Sequence, residues 1–180
     1  MPRLHVVIPV FNERGTLEDC LRRVLAVRLP VEWSIRIWMV DDHSDSENYQ
    51  AVQRILTLLL EEKRDITLTR HDVNQGKGAA LQTGFDQIIA SDASDDDLVI
   101  IQDADLEYDP DDYPSLMMPL LEGNADVVLG TRWGEHHKLE GLKRKIHAWG
   151  NSVLTSLSNL MTGFKVSDME CCYKVFSVQL

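Results

Sequence analysis

Five short apolar runs rich in β-branched residues recur along the chain, at residues 4–10, 33–40, 66–70, 98–102 and 126–130. Their length and composition predict strands, several of them buried on both faces. Between them, helical periodicity marks residues 16–27, 47–62, 77–90 and 112–121. Strands alternating with helices of this length build βα units, and therefore an α/β fold with a mostly parallel sheet sandwiched by helices. With 180 residues and 44% hydrophobic content there is material for one substantial core, hence a single domain.

In open sheets of this kind ligands bind beyond the carboxyl ends of the strands. The segments that follow the five runs are PVFNERG, DDHSD, HDVNQGKGAA, DADLE and GTRWGEHHK. Each carries acids, amides, glycines or basic groups, so one edge of the sheet gathers the polar chemistry.

The fourth strand runs straight into Asp103, Asp105, Glu107 and Asp109, acids at every second position. On an extended backbone Asp103, Asp105 and Glu107 share one side. Three carboxylates there repel one another unless a cation sits among them, and hard oxygens suit Mg²⁺ or Mn²⁺. A set of exposed turn acids is the competing reading.

Asp41 and Asp42 follow the second run, where an acid can accept from a base N–H or a ribose hydroxyl. Helix capping by Asp45 or Ser46 is compatible with that role. The stretch Asn74 to Ala80 places Gly76, Lys77 and Gly78 at a helix start, where free N–H groups and the helix dipole attract anions. It is not a Walker loop, because Gly78 stands where Ser or Thr is needed. A plain tight turn is the alternative.

Arg132 follows the fifth run, and Lys138, Lys143, Arg144 and Lys145 come after it. Either a solvated basic helix face or a phosphate or anionic-lipid site accounts for them. His136 and His137 lack a second pair at ligand spacing and read as solvated. Residues 92–97, DASDDD, read as a solvated turn. From Leu139 to Met161 the chain turns basic and then apolar at helical spacing, with Ile146, Trp149, Val153, Leu157 and Leu160 on one face.

A formal charge of -11 argues against a nucleic-acid partner, which needs a basic face. Cys20, Cys171 and Cys172 form no metal-ligand spacing, and the default compartment is a reducing cytoplasm. The amino end lacks a signal-peptide core, and no run approaches the length of a spanning helix, so the chain reads as soluble or lying on a membrane.

Taken together, VVIPVFNERGTL, VDDHSD, NQGKGAALQTGF, QDADLEYDP, GTRW and SDMECCYKVF resemble, in order and over nearly the whole chain, the inverting family 2 glycosyltransferases of GT-A type. Within them the chain is similar to dolichol-phosphate mannosyltransferases and polyprenyl-phosphate glycosyltransferases. The resemblance implies a Rossmann-like GT-A domain that moves a sugar from a UDP- or GDP-sugar to a polyprenyl phosphate at the cytoplasmic face of a membrane. Pro9, Phe11, Glu13, Asp41 and Asp42 would hold the nucleoside, and Lys77, Gly78, Ala79 and Ala104 would line the donor pocket. Asp103, Asp105 and Glu107 fall where the family binds metal and diphosphate, with Asp105 among the catalytic residues. Arg132 and Arg144 match positions that grip the acceptor phosphate, and Asp168 a position near the reacting sugar, as base or orienting group.

The implied division is a nucleotide-binding half over residues 1–102 and a metal and acceptor half over 103–180, in a catalytic domain truncated at its carboxyl end. His43 stands where the family usually has Gly, and Gln82 where a basic residue is common. Transfer to a sugar hydroxyl, a sugar-phosphate nucleotidyltransferase, a phosphoacceptor receiver domain and a sugar-nucleotide sensor are the rivals. PVFNERG has too few glycines for the nucleotidyltransferase, and a receiver would carry its acid after the third strand.

Overall fold

The structure is a computed structural model that describes residues 1–131, 142–163 and 165–180, with residues 142–149 as backbone only. It divides into two compact units, Met1–Val128 with Val175–Leu180, and Leu129–Lys174.

In the first unit β1 (Arg3–Val10) pairs in parallel with β2 (Ser34–Asp41) and with β4 (Leu98–Ile101), and β2 pairs in parallel with β3 (Ile66–Arg70). Helices α1 (Leu17–Ala26), α2 (Ser46–Glu61) and α3 (Lys77–Ile89) follow the first three strands. A 3-10 turn at Pro110–Asp112 leads into α4 (Tyr113–Leu121). With β5 (Val127–Leu129) and β6 (Lys174–Ser177) the sheet order is β3-β2-β1-β4-β6-β5.

Every predicted strand and helix of these five and four forms, with ends within one residue of expectation. The short β6 carries too few residues for a periodic signal. It is held by antiparallel pairing to β4, Leu98 against Ser177 and Val99 against Phe176.

The periodicity works because β1 is covered on both faces. Val6, Val7 and Ile8 are fully buried, as are Leu17, Leu21 and Val24 of α1. Val7, Trp38, Ile88 and Val99 form one cluster, with Leu81, Phe85 and Phe176 packed against it. A Cβ on Gly84 would lie 2.5 Å from Val7 Cγ1, so this glycine lets α3 lie close against β1.

The turn at residues 92–97 corrects one expectation. Asp97 is not solvated but wholly buried, accepting from the Arg3 and Ser94 backbone N–H groups at 2.8 and 3.0 Å. Its carboxylate also meets His5 Nε2 at 3.0 Å, and His5 Nδ1 accepts from Trp38 Nε1 at 3.0 Å. A buried donor cluster needs an acceptor, and the turn supplies it from far along the chain.

In the second unit α5 (Leu142–Thr162) has an unusual polarity. Asn151 and Thr155 are buried, whereas Val153, Leu157 and Leu160 are exposed. Side-chain hydrogen bonds explain the burial: Asn151 Nδ2 donates to Asp168 at 2.8 Å, and Thr155 Oγ1 accepts from the Met169 N–H at 3.2 Å. Among the described residues no helix is long and apolar enough to cross a membrane.

Candidate active site

Register brings the first three strand ends to one edge: Val10 lies opposite Asp41, and Asp41 opposite Arg70. The loops leaving that edge interlock. Asn12 and His43 both adopt positive φ, 59° and 62°. The Asn12 N–H donates to Ser44 Oγ, and the Asp45 N–H donates to Asn12 Oδ1, both at 3.0 Å. Asp45 caps α2 as expected, accepting from the Asn48 N–H at 2.9 Å.

The acid pair ending β2 divides its work. Asp41 is fully buried; its Oδ2 lies 3.4 Å from Arg70 Nε, while Oδ1 has no hydrogen-bond partner. Asp42 is also buried, and its carboxylate accepts from Gln75 N at 2.9 Å, Gly76 N at 2.7 Å and His71 Nδ1 at 2.7 Å. Burial alone would raise the pKa of Asp42, but those donors outweigh it and hold the carboxyl below its ordinary range. The helix-start loop is thus anchored on Asp42, and Gly76 supplies the positive φ of 89° that the turn requires.

Beside these loops lies a cleft of about 440 Å³ walled by Pro9, Phe11, Glu13, Asp42, Lys77, Asp103, Ala104 and Asp105, together with Val10, Asn74, Gly76 and Ala80. Eight predicted residues are therefore brought together. Gly78 and Ala79 are not on its wall, because Lys77 and Ala80, three apart on a helix, take the cleft-facing positions. Asp41 is turned toward Arg70 instead.

Glu107 is absent from the wall as well. The chain does not stay extended after β4: Leu106 takes φ 63°, and the Glu107 N–H turns back to Asp105 Oδ1 at 3.0 Å. The every-second-residue alternation is lost, and among the described residues no group of three or more His, Cys, Asp or Glu converges as a ready-made metal site.

Lys77 Nζ meets both oxygens of Asp103, at 2.6 and 2.7 Å. The Asp103 backbone carbonyl accepts from Gln102 Nε2 at 2.8 Å, and Gln102 Oε1 accepts from Tyr113 OH at 2.7 Å. Sequence reasoning missed Gln102 and Tyr113; a polar Gln at the end of a fully apolar strand was their one signal. The buried Cys20 Sγ lies 3.5 Å from the Asp103 carbonyl, its thiol pKa pushed up to about 12 by burial and by Asp105 and Asp103.

Asp168 belongs to the second unit, buried, accepting from Asn151 Nδ2 and from the Glu170 N–H. Arg132 lies outside the described residues, and Arg144 lies on α5 with its side chain outside them. A larger cleft of about 650 Å³, lined in part by Met1, Trp33, Asp95 and Asp126, contains none of the predicted site residues.

The family model Glycosyl transferase family 2 matches residues 5–180. The chain belongs to that family. As a family 2 glycosyltransferase chain it is 29% identical over 171 residues to an undecaprenyl-phosphate 4-deoxy-4-formamido-L-arabinose transferase of Pseudomonas savastanoi pv. phaseolicola, covering 95% of this chain and 46% of the relative. It is 28% identical over 179 residues to a dodecaprenyl-phosphate galacturonate synthase of Rhizobium johnstonii, covering 98% and 48%. The chain thus spans about half the length of these curated relatives.

Among solved structures, glucosyl-3-phosphoglycerate synthase from Mycobacterium tuberculosis, in complex with Mn²⁺, UDP and phosphoglyceric acid, superposes with TM-score 0.64 at 19% identity, over 99% of this chain and 56% of that one. TarS 1-349 of S. aureus, in complex with UDP-GlcNAc, gives 0.58 at 15% identity, over 98% and 45%. The shared architecture is the GT-A fold.

Proposed function

We propose that this chain is the catalytic domain of an inverting glycosyltransferase that moves a sugar from a UDP- or GDP-sugar to a polyprenyl phosphate at the cytoplasmic face of a membrane. The observation that carries the reading is the single cleft in which Lys77, at the start of α3, faces Asp103 and Asp105. A helix start with a lysine suits a diphosphate, and paired carboxylates opposite it suit a divalent ion. Both named relatives are prenyl-phosphate enzymes, which supports the acceptor class.

Pro9, Phe11 and Glu13 are assigned to the nucleoside end of the cleft, with Asp41 behind it. At the helix start Gly78 is assigned a backbone contact to the diphosphate, whereas the Ala79 N–H is already donated to the Gly76 carbonyl at 3.0 Å. Mg²⁺ or Mn²⁺ fits the donor set present: Asp103 and Asp105 bring hard oxygens to one wall, and magnesium is commonly held by one or two carboxylates plus substrate phosphates. Glu107 is a peripheral candidate ligand. When bound, the ion supplies charge neutralisation on the departing diphosphate.

This chain's own part is to orient the donor. Lys77 balances phosphate charge, the loop whose Gln75 and Gly76 N–H groups are held by Asp42 fixes the helix start, and Phe11 and Ala104 shield the cleft from water. A phosphate acceptor, with second pKa near 6, is largely ionised at neutral pH and needs no strong base. Asp168 is then an orienting group, and Arg132 and Arg144 the acceptor-phosphate cations, all three on the resemblance. The functional halves are residues 1–102 for the nucleotide and 103–180 for metal and acceptor.

A thermal-shift screen of UDP- and GDP-sugars with and without Mn²⁺ tests the reading. One cognate donor should stabilise by several degrees in the presence of the ion. No shift with any sugar nucleotide, and no nucleoside diphosphate released on adding undecaprenyl phosphate, would refute it.

A further inference from the structure

His71 has no role in the reading above, yet it joins three elements. It follows β3 directly, and its backbone N–H donates to the Asp41 carbonyl at 2.9 Å. Its ring is buried, with Nδ1 2.7 Å from Asp42 Oδ1 and Nε2 2.9 Å from Thr83 Oγ1. Thr83 lies on α3, whose first residue is Lys77.

The hydrogen positions follow from the partners. The Asp42 carboxylate is an acceptor only, so Nδ1 carries the proton and Nε2 meets a hydroxyl that can donate to it. Asp42 in turn accepts the Gln75 and Gly76 N–H groups, and its backbone carbonyl accepts from Asn74 Nδ2 at 3.2 Å. The connection from β3 to α3 is thereby clamped at both ends on one carboxylate, with the imidazole wedged between that carboxylate and the helix.

We infer that His71 is a positioning residue for the nucleotide-sugar donor: through Asp42 and Thr83 it fixes the 74–76 loop and the start of α3, and so the placement of Lys77 in the cleft. The inference rests on the donor-cleft reading, but one of its consequences does not. Without the Nδ1–H bond, Asp42 keeps both loop N–H bonds and loses its lateral support, and without the ring α3 loses the tie that Thr83, two turns into the helix, makes to the strand edge. Loop order should fall before the fold does, since the sheet contacts of β3 are untouched.

Two variants and two readouts test this. In His71→Leu the amide-exchange protection of Gln75 and Gly76 should drop about tenfold or more while that of β1 and β2 amides holds. Donor KM should rise by a similar factor with kcat changed less than about threefold, a loss on the scale of one charge-assisted hydrogen bond. His71→Asn, whose amide can reproduce the Nδ1–H donor, should recover most of both effects. Unchanged protection at Gln75 and Gly76 in His71→Leu would overturn the inference whether or not any donor is turned over. Equal loss of protection across the sheet, with His71→Asn as impaired as His71→Leu, would also overturn it, because His71 would then be merely structural. Altered loop exchange in a chain that binds no sugar nucleotide would instead keep the clamp and remove the donor reading.

Discussion

Lys77 Nζ holds both carboxylate oxygens of Asp103, 2.6 and 2.7 Å away, across the mouth of the cleft. The lysine comes from the start of α3 and the acid from the end of β4, so the pair ties together the two elements that frame the proposed diphosphate position. A divalent ion and a diphosphate would repartition these charges, with Asp103 turning to the metal and Lys77 to phosphate.

Asp105→Asn should therefore abolish metal-dependent release of nucleoside diphosphate, by on the order of 10²-fold or more. Lys77→Met should raise donor KM on the order of tenfold, since one charge-assisted phosphate contact is lost. Steady-state rates at saturating Mn²⁺ check both. Full activity of Asp105→Asn in excess chelator would remove the metal from the reaction.

The buried His5 gives a pH signature. Burial holds its pKa below the usual 6.5 despite Asp97 beside it. Geometry agrees, because Nδ1 accepts the Trp38 N–H and cannot also be protonated without breaking that bond. The unfolded chain takes up this proton more readily than the folded one, so the stabilisation is complete above about pH 6.5 and shrinks as pH falls below it. Asp97 and Asp42 have depressed values, offset against burial by backbone N–H donors, and add a second loss as pH falls through the acid range. Urea unfolding between pH 8 and 5 should show declining stability, and His5→Gln should flatten the slope.

Removing Asp97 tests the same cluster directly. Asp97→Ala strands the Arg3 and Ser94 N–H groups and the His5 ring, and should cost roughly 3 kcal/mol. The remote cleft should keep its donor affinity. A change below about 0.5 kcal/mol, the scale of an ordinary surface substitution, would mean the turn is solvated after all.

Gly84→Ala should destabilise by about 1–3 kcal/mol, because its methyl would meet the stiff, buried Val7 side chain at 2.5 Å. Val7→Ala in the same chain makes room and should restore part of the loss. Calorimetric melting of the two single variants and the double variant decides it.

The three cysteines are buried, and Cys20 has a thiol pKa of about 12. None should react with a thiol reagent in the folded state at neutral pH, and all three should react in urea. Rapid labelling of native Cys20 would show that the packing of α1 behind Asp103 opens.

The features that could be read from residue order are local. Hydrophobic period placed β1 to β5 and α1 to α4 within a residue, Asp45 was legible as a cap, Lys77 as a helix-start group and Asp103 as a strand-end group. Those features depend on neighbours a few positions away. The remaining features arise from contacts between distant segments. β6 exists through pairing with β4, and Asp97 is buried because Arg3 and His5, more than ninety residues earlier, need its oxygens. Asp42 became a loop anchor rather than an open ligand because Gln75 and Gly76 fold back onto it. Glu107 left the acid row through one left-handed residue at Leu106. Each outcome turns on which polar groups lose water together, and that is settled only when distant segments pack.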